Sequence, residues 1–300
     1  ALFIYSMSIS RQNLSIVIVT FKSEIIIHDC IRSIEKDIQI IVVENSNNFK
    51  LKEELEKTYS NVTCVLTSYN RGMGAGNNIG IKKTKTDFVL ILNPDVILED
   101  STINELVIAS KKISNYAILA PISSEVSYPN YKLLNGNDKI ITTKNPQKVK
   151  SVDGFAMLFN KKKLDKIISN NYFDENFFMY LENDDLCKRV REINEDIFIV
   201  PTSRIKHLGG KASNPKYKNE IEFSRNWHWI WSKFYFNKKH SGYFKAFVDG
   251  FPKLISSLIK YIFYSLARDK IKKRIYFNRA SGFINAAMHK SSWYRPNDNF

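Results

Sequence analysis

Four apolar runs rich in β-branched residues, Leu14–Val19, Ile38–Val43, Val62–Leu66 and Phe88–Leu92, alternate with segments of helical pattern. Ser23 is placed to cap a helix running to Ile34, with Ile26, Ile27, Ile31 and Ile34 on roughly one face. Phe49–Tyr59 reads as a charged surface helix. Ala75–Lys85 reads as a helix after a glycine-rich turn, and a further helix starts from Ser101. Strand runs with no polar face must be covered on both sides, and strand–helix alternation supplies that cover. The expected architecture is therefore α/β, with a Rossmann-like, mostly parallel central sheet flanked by helices.

Beyond the fourth run the pattern changes. Residues 121–150 are polar and turn-rich and predict an excursion over a site. Val152–Phe159 resumes a strand pattern, Lys161–Ile168 a short helix, and Ile197–Val200 a last short strand. From about 215 the chain reads as helical, aromatic and basic. The net charge of +15 belongs to this end: residues 1–200 hold 25 Lys+Arg and 25 Asp+Glu, residues 201–300 hold 20 and 5. Such an end is built to meet something anionic. Three cysteines, Cys30, Cys64 and Cys187, make no CxxC pattern, which argues against a disulfide framework or a zinc site and for a reducing compartment. The most apolar stretch, Phe251 to Ala267, is interrupted by Pro252, Lys253 and Lys260, so no spanning helix is expected. Residues 1–13 read as an N-terminal leader, 14–220 as the main α/β domain, and 221–300 as a helical, basic region.

The chemistry gathers at strand ends. The run Phe88–Leu92 meets Asn93-Pro94-Asp95, where proline cannot donate a ladder hydrogen bond, so the strand stops and delivers Asp95 at its C-terminal edge. In open α/β sheets ligands bind at that edge. A carboxylate there suits a hard divalent cation, which suits a diphosphate. Thr20 and Glu44-Asn45-Ser46 end two other strands at the same edge. The segment Asn70-Arg-Gly-Met-Gly-Ala-Gly-Asn-Asn-Ile-Gly80 fails the dinucleotide fingerprint and lacks the Lys-Ser/Thr of a P-loop. Its small residues still suit an anion at a helix start, with Arg71 as a cation, and suit turn and helix packing equally. In Phe173–Arg189 an aromatic cluster runs into carboxylates. If 181–192 is helical, Glu182, Asp185 and Arg189 share a face, and Asp184 pairs with Lys188 on another. Carboxylates beside the aromatic wall of Phe177, Phe178 and Tyr180 can yield a base, or can simply complement the helix dipole. His207, followed by Leu-Gly209-Gly210, suits a metal or phosphate role.

Taken in order, Ser15–Thr20, Glu44-Asn45, Asn70–Asn78, Leu92–Asp95, Asp153-Gly154, residues 173–189, His207-x-Gly-Gly and Arg225-Asn226 resemble the family 2 glycosyltransferases. The nearest subgroup in this resemblance is the rhamnosyltransferase-like enzymes of bacterial surface polysaccharide assembly. The resemblance covers about residues 14–236. It implies a GT-A fold, an inverting displacement, a nucleotide-sugar donor and Mg²⁺ or Mn²⁺. It implies that Thr20, Glu44 and Asn45 hold the base and ribose, and that Arg71, Asn77 and Asn93 line the donor site. Asp95 then holds the diphosphate through the cation, with His207 near it, and Asp153 and Gly154 lie at the acceptor. Members of the family often carry Glu-Asp where this chain has Glu182-Asn183, with the Asp as base. An amide accepts no proton at neutral pH, which leaves Glu182 or Asp185 as the catalytic base.

The expected function is transfer of a sugar, rhamnose from dTDP-rhamnose being the first guess, to a lipid-linked or polysaccharide acceptor in O-antigen or capsule synthesis. The basic aromatic end suits an anionic membrane surface, which places the protein in the cytoplasm, peripheral on the inner face of the plasma membrane. This reading assigns no nucleic-acid partner and leaves oligomerisation open. Two rivals stand beside it. A nucleic-acid-binding protein accounts for residues 201–300 but leaves Asp95 idle. An inactive glycosyltransferase-like scaffold accounts for Asn183.

Overall fold

The computed structural model describes residues 9–125, 129–136, 140–165, 171–209 and 215–295. They divide between two compact units. One takes in Ala1–Arg71, Ala75–Phe173 and Asn183–Asn214; the other takes in Gly72–Gly74, Asp174–Glu182 and Pro215–Phe300. The expected leader lies largely outside the described residues, as do Gly210 and the end of the helix expected at Lys161–Ile168.

The first unit is a mixed α/β sheet. Its strands are β1 (Leu14–Thr20), β2 (Gln39–Glu44), β3 (Val62–Leu66), β4 (Phe88–Leu92), β5 (Val96–Leu98), β6 (Ile118–Ser123), β7 (Tyr131–Leu133), β8 (Gln147–Val152), β9 (Ala156–Asn160) and β10 (Ile197–His207). They run in the order β3-β2-β1-β4-β9-β6-β10-β8-β7, with β5 paired to β10. The four apolar runs form the parallel half, β3-β2-β1-β4. Every residue of β1 and β4 is buried, as strands covered on both faces require. The flanking helices are α1 (Ile27–Arg32), α2 (Phe49–Thr58), α3 (Met73–Lys83), α4 (Thr102–Lys112), α5 (Lys161–Asp165) and α6 (Glu182–Glu192). Ile27, Leu51, Leu55, Ile103 and Leu106 join the strand residues in one core cluster.

Beyond β4 the sheet departs from the expected pattern. Strand β9 lies antiparallel between β4 and β6, so the sheet is parallel in one half and mixed in the other. Residues 121–150 are not an unpatterned excursion: they hold the end of β6, all of β7 and most of β8. Short strands of three to six residues interrupted by turns carry too little periodicity to show in sequence. The strand read at Val152–Phe159 is two strands broken at a corner, since β8 ends at Val152 and β9 begins at Ala156. The last strand is longer than expected, with β10 reaching His207 past a register shift between Val200 and Arg204. That length lets β10 pair with β5, with His207 opposite Val96.

The glycines of residues 72–80 are explained by packing. A Cβ on Gly76 would lie 2.7 Å from Val19 Cγ1, and one on Gly80 would lie 2.3 Å from Val17 Cγ1. Two glycines four apart thus give α3 a bare face that rests directly on β1. Asn78 secures the same helix: its Nδ2 donates to Phe173 O at 2.9 Å and its Oδ1 accepts from Phe173 N at 3.0 Å.

The second unit is a helical bundle of α7 (Lys218–Ser241), α8 (Tyr243–Leu266) and α9 (Lys270–Ala287). Trp227, Ile230, Trp231, Phe234, Ala246, Phe283 and Ala286 form its core. Phe177 and Phe178, read in sequence as a wall beside the carboxylates, are buried in this unit. Phe177 meets Tyr235 edge-on and Phe178 lies against the His228 ring. The outer side of α8 is left uncovered, with Phe244 and Leu266 each 80% exposed. Among the described residues no helix is long and apolar enough to cross a membrane.

Gly80→Ala is expected to destabilise the sheet unit by about 1–3 kcal/mol, the usual cost of forcing a methyl into a close-packed contact. A denaturant midpoint equal to that of the unaltered chain would contradict the packing role of this glycine.

Candidate active site

Three polar strand ends converge at the C-terminal edge of the parallel half. The register pairs Thr20 with Glu44 at the ends of β1 and β2, and β4 stops two residues before Pro94. Asp95 is 2% exposed. The β5–β10 pairing brings His207 alongside it: Leu208 N donates to Asp95 O at 3.0 Å, and His207 Nε2 stands 3.5 Å from Asp95 Oδ1. The His207 ring stacks on Phe155, centroids 4.0 Å apart, and Phe155 O accepts from Asn93 N at 2.9 Å. The corner between β8 and β9 is thereby fastened to the Asn93–Asp95 turn.

Several buried polar atoms at this edge have no hydrogen-bond partner. They are Thr20 Oγ1, Asn77 Oδ1 and Asp95 Oδ1, and each belongs to a residue that the resemblance assigns to the donor site. An unsatisfied buried polar group costs about 1–3 kcal/mol, so such atoms at one sheet edge need an external partner to be satisfied.

Other residues of the expected donor site are engaged internally. Glu44 oxygens accept from the backbone of Ser46 and Asn48 and from the Ser46 hydroxyl. The Glu44 carboxylate thereby braces the turn after β2. Asn45 Oδ1 accepts from Thr67 Oγ1 at 3.0 Å and from Arg71 N at 3.2 Å, which joins that turn to the loop opening α3. Arg71 is exposed, with its guanidinium 4.8 Å from the centre of the Tyr69 ring.

The residues present fit a divalent cation in part. Asp95 offers a buried oxygen without a hydrogen bond, and His207 Nε2 lies next to it. Among the described residues no group of three or more His, Cys, Asp or Glu could enclose a metal. A site with one carboxylate and one imidazole suits an ion that takes its remaining ligands from water and substrate phosphates.

The carboxylates of α6 have separate roles. Asp185 is fully buried, with its Oδ2 2.8 Å from Arg189 Nε. The Arg189 guanidinium also donates to Tyr172 O. Asp185 is thus paired within α6 to the arginine that ties the helix to Tyr172. Asp184 is bound to Lys132 at 2.8 Å, not to Lys188 as expected; Lys188 faces Glu192 instead. Glu182 is the first residue of α6, partly buried, and directly follows Tyr180 and Leu181, two residues with φ of 71° and 66°. Consecutive left-handed non-glycine residues carry about 1–3 kcal/mol of strain each, and no sequence pattern announces them.

Asn183 Nδ2 donates to Val152 O at 2.8 Å, and a Cβ on Gly154 would lie 3.2 Å from Asn183 Cβ. The Asn183 side chain therefore rests on residues 152–154. Burial pushes the Asp153 carboxyl up to about 6; nearby Asp184 adds to the rise, while Lys132 and His207 oppose it. Neither burial nor these neighbours could be read from the dipeptide Asp153-Gly154.

The chain belongs to glycosyl transferase family 2, whose family model matches residues 15–168. A low-salt glycan biosynthesis hexosyltransferase of Haloferax volcanii, Agl10, is 28% identical over 202 residues, covering 62% of this chain and 64% of that protein. The chain thus matches a little under two thirds of that relative's length. Among solved structures, the mannosyltransferase PcManGT from Pyrobaculum calidifontis, in complex with GDP-Man and Mn²⁺, aligns with a TM-score of 0.54 at 11% identity over 92% of this chain and 86% of that one. TarS 1-349 of S. aureus aligns with a TM-score of 0.50 at 14% identity over 94% and 93%. GalNAc-T7 with UDP, GalNAc and Mn²⁺ aligns with a TM-score of 0.52 at 14% identity over 72% and 51%. At these identities the structural likeness shows the GT-A fold.

Asp185→Asn is expected to destabilise the sheet unit, by less than the about 3–5 kcal/mol of a fully buried pair because Arg189 is partly exposed. The measurement is the shift in thermal midpoint. A midpoint unchanged from the wild type would show that the pair does not hold α6.

Proposed function

We propose that the protein is a metal-dependent inverting glycosyltransferase, with its catalytic domain in residues 14–220 and an interfacial helical region in 221–300. The observation that carries the reading is the set of buried, unsatisfied atoms Thr20 Oγ1, Asn77 Oδ1 and Asp95 Oδ1 at the C-terminal sheet edge, in a chain of this family. Thr20, Asn77 and Asn93 would receive the nucleoside part of a nucleotide sugar, with Asn45 ordering the turn beneath it and Arg71 at the rim. Asp95 and His207 would hold Mg²⁺ or Mn²⁺. When bound, the cation supplies neutralisation of the charge that develops on the leaving diphosphate. The acceptor hydroxyl gives its proton to a carboxylate of the site, and its oxygen bonds to the anomeric carbon from the face opposite the diphosphate. The C–O bond to the diphosphate breaks and the electron pair leaves with it. Asp153 and Gly154 would border the acceptor.

The donor sugar is of the hexose class by likeness to Agl10 and PcManGT, and activated rhamnose is the first to test. A lipid-linked saccharide in a surface-glycan pathway such as O-antigen or capsule is the proposed acceptor. The uncovered side of α8 supports that choice. Phe244, Ile259, Ile262, Phe263 and Leu266 are exposed together along it. Phe247 and Leu254, on the same helix, pack against the bundle core. Lys260, Lys270, Lys272 and Lys273 are exposed nearby, while Arg274 is 3.2 Å from Glu220 and so is not available to headgroups. An apolar face flanked by cations suits the inner, anionic surface of a plasma membrane.

Two tests follow. In a thermal-shift panel of UDP-, GDP- and dTDP-sugars with Mn²⁺, the true donor should raise the melting point. Asp95→Asn should remove that shift and lower turnover by about 10²–10³, the scale for losing one transition-state electrostatic contact. Full activity in excess EDTA would contradict the metal assignment.

In liposome flotation at low salt, the protein should float with anionic vesicles and much less with neutral ones, each headgroup-facing lysine contributing roughly 1 kcal/mol. Phe263→Glu combined with Leu266→Glu should abolish flotation and leave the fold intact. Equal flotation with neutral and anionic vesicles would reject the anionic surface.

A further inference from the structure

Transfer needs a carboxylate that is basic, accessible and close to the leaving diphosphate. The other carboxylates of the crevice segments in the sheet unit are engaged. Glu44 braces the turn after β2, Asp184 is bound to Lys132, and Asp185 is bound to Arg189. Asp95 belongs to the diphosphate side. Asp153 is different. Its side chain makes no hydrogen bond or ion pair with any described residue, and it is partly open to solvent.

Its backbone, by contrast, is fixed on every side. Asp153 N donates to Asn130 O at 2.9 Å, Val152 O accepts from Asn183 Nδ2 at 2.8 Å, and Phe155 is held by Asn93 N and the His207 ring. Two residues span at most about 7 Å, so the Asp153 backbone lies within that reach of the Phe155 Cα, whose carbonyl accepts from Asn93 N. A rigid corner that carries one unengaged carboxylate and adjoins the Asn93–Asp95 turn through Phe155 has what proton abstraction from an acceptor requires.

We propose that Asp153 is the catalytic base of this enzyme. The inference rests on the glycosyltransferase reading above. In the step, an acceptor O–H proton passes to an Asp153 carboxylate oxygen. The acceptor oxygen forms the new bond to the anomeric carbon, and the bond from that carbon to the diphosphate oxygen breaks with its electron pair. Asp153 ends as a neutral acid and returns its proton to water. Asn183, one residue into α6, cannot take the proton, but its amide holds the Asp153 corner in place.

The experiment compares wild type, Asp153→Asn, Asp153→Glu and Glu182→Gln. Nucleoside diphosphate release is measured from a panel of UDP-, GDP- and dTDP-sugars with Mn²⁺, with methyl glycosides or water as acceptor. Binding of UDP, GDP and dTDP is followed by thermal shift. Asp153→Asn should melt like the wild type and keep the nucleotide shift, and should lose about 10²–10⁴ in release rate. Asp153→Glu should recover part of that loss, which a misfolded corner would not allow. Glu182→Gln should lose less release activity than Asp153→Asn. Wild-type release by Asp153→Asn would overturn the assignment, as would a large loss in Glu182→Gln alone. Loss of the nucleotide shift in Asp153→Asn would also overturn it, by making the residue part of donor binding. If the wild type bound none of the nucleotides and released none, the glycosyltransferase reading itself would fall.

Discussion

The site depends on where β4 stops. A strand that is buried on both faces and bonded on both edges would otherwise continue, carrying its polar residues into the ladder. Pro94 has no N–H to give, so the chain turns at Asn93–Asp95 and comes back as β5. Because β5 pairs antiparallel with the far end of β10, His207 is delivered to the Asp95 side chain from the opposite end of the sheet order. One missing donor thus sets the place of the carboxylate, the imidazole and the Phe155 corner stacked on it.

The polar groups around that turn divide into those that build and those that wait. Glu44, Asn45, Asn78 and Asp185 are buried and hydrogen-bonded within the sheet unit; Asn45 and Asn78 join segments far apart in the chain, while Glu44 and Asp185 bond within their own turn and helix. Thr20, Asn77 and Asp95 are buried with side-chain oxygens that receive nothing. Burial without satisfaction is costly, so natural chains keep it where a ligand completes the bonding.

The helical unit follows a different rule. Its aromatic residues face inward: Trp227, Trp231, Phe234 and Phe283 fill the bundle core. Among the described residues, the aliphatic and aromatic side chains along the outside of α8 have no such cover. Exposed apolar side chains are ordinary when scattered and informative when they lie together on one face beside lysines. The charge imbalance of residues 201–300 gains its meaning from that juxtaposition.

Much of the sheet unit was legible in the sequence. The four apolar runs, their intervening helices and the stop at Pro94 follow from local rules: continuous burial, helical period and a proline without a donor. Val62–Leu66 and Phe88–Leu92 coincide with β3 and β4 residue for residue. The aromatic, basic helices after 215 were legible for the same reason. Tertiary structure alone decided the rest. No local pattern says that β9 inserts antiparallel between β4 and β6, because strand order is set by which faces can be covered after the chain has returned. Nor could spacing show that Gly76 and Gly80 serve contact with Val19 and Val17. The partners of the carboxylates were hidden too. Asp184 and Lys132 are 52 residues apart, and their meeting, like the unengaged state of Asp153, exists only once β7, β8 and α6 are packed. Sequence determines which groups are available and where strands must end; packing determines which of those groups are satisfied internally and which are left for a ligand.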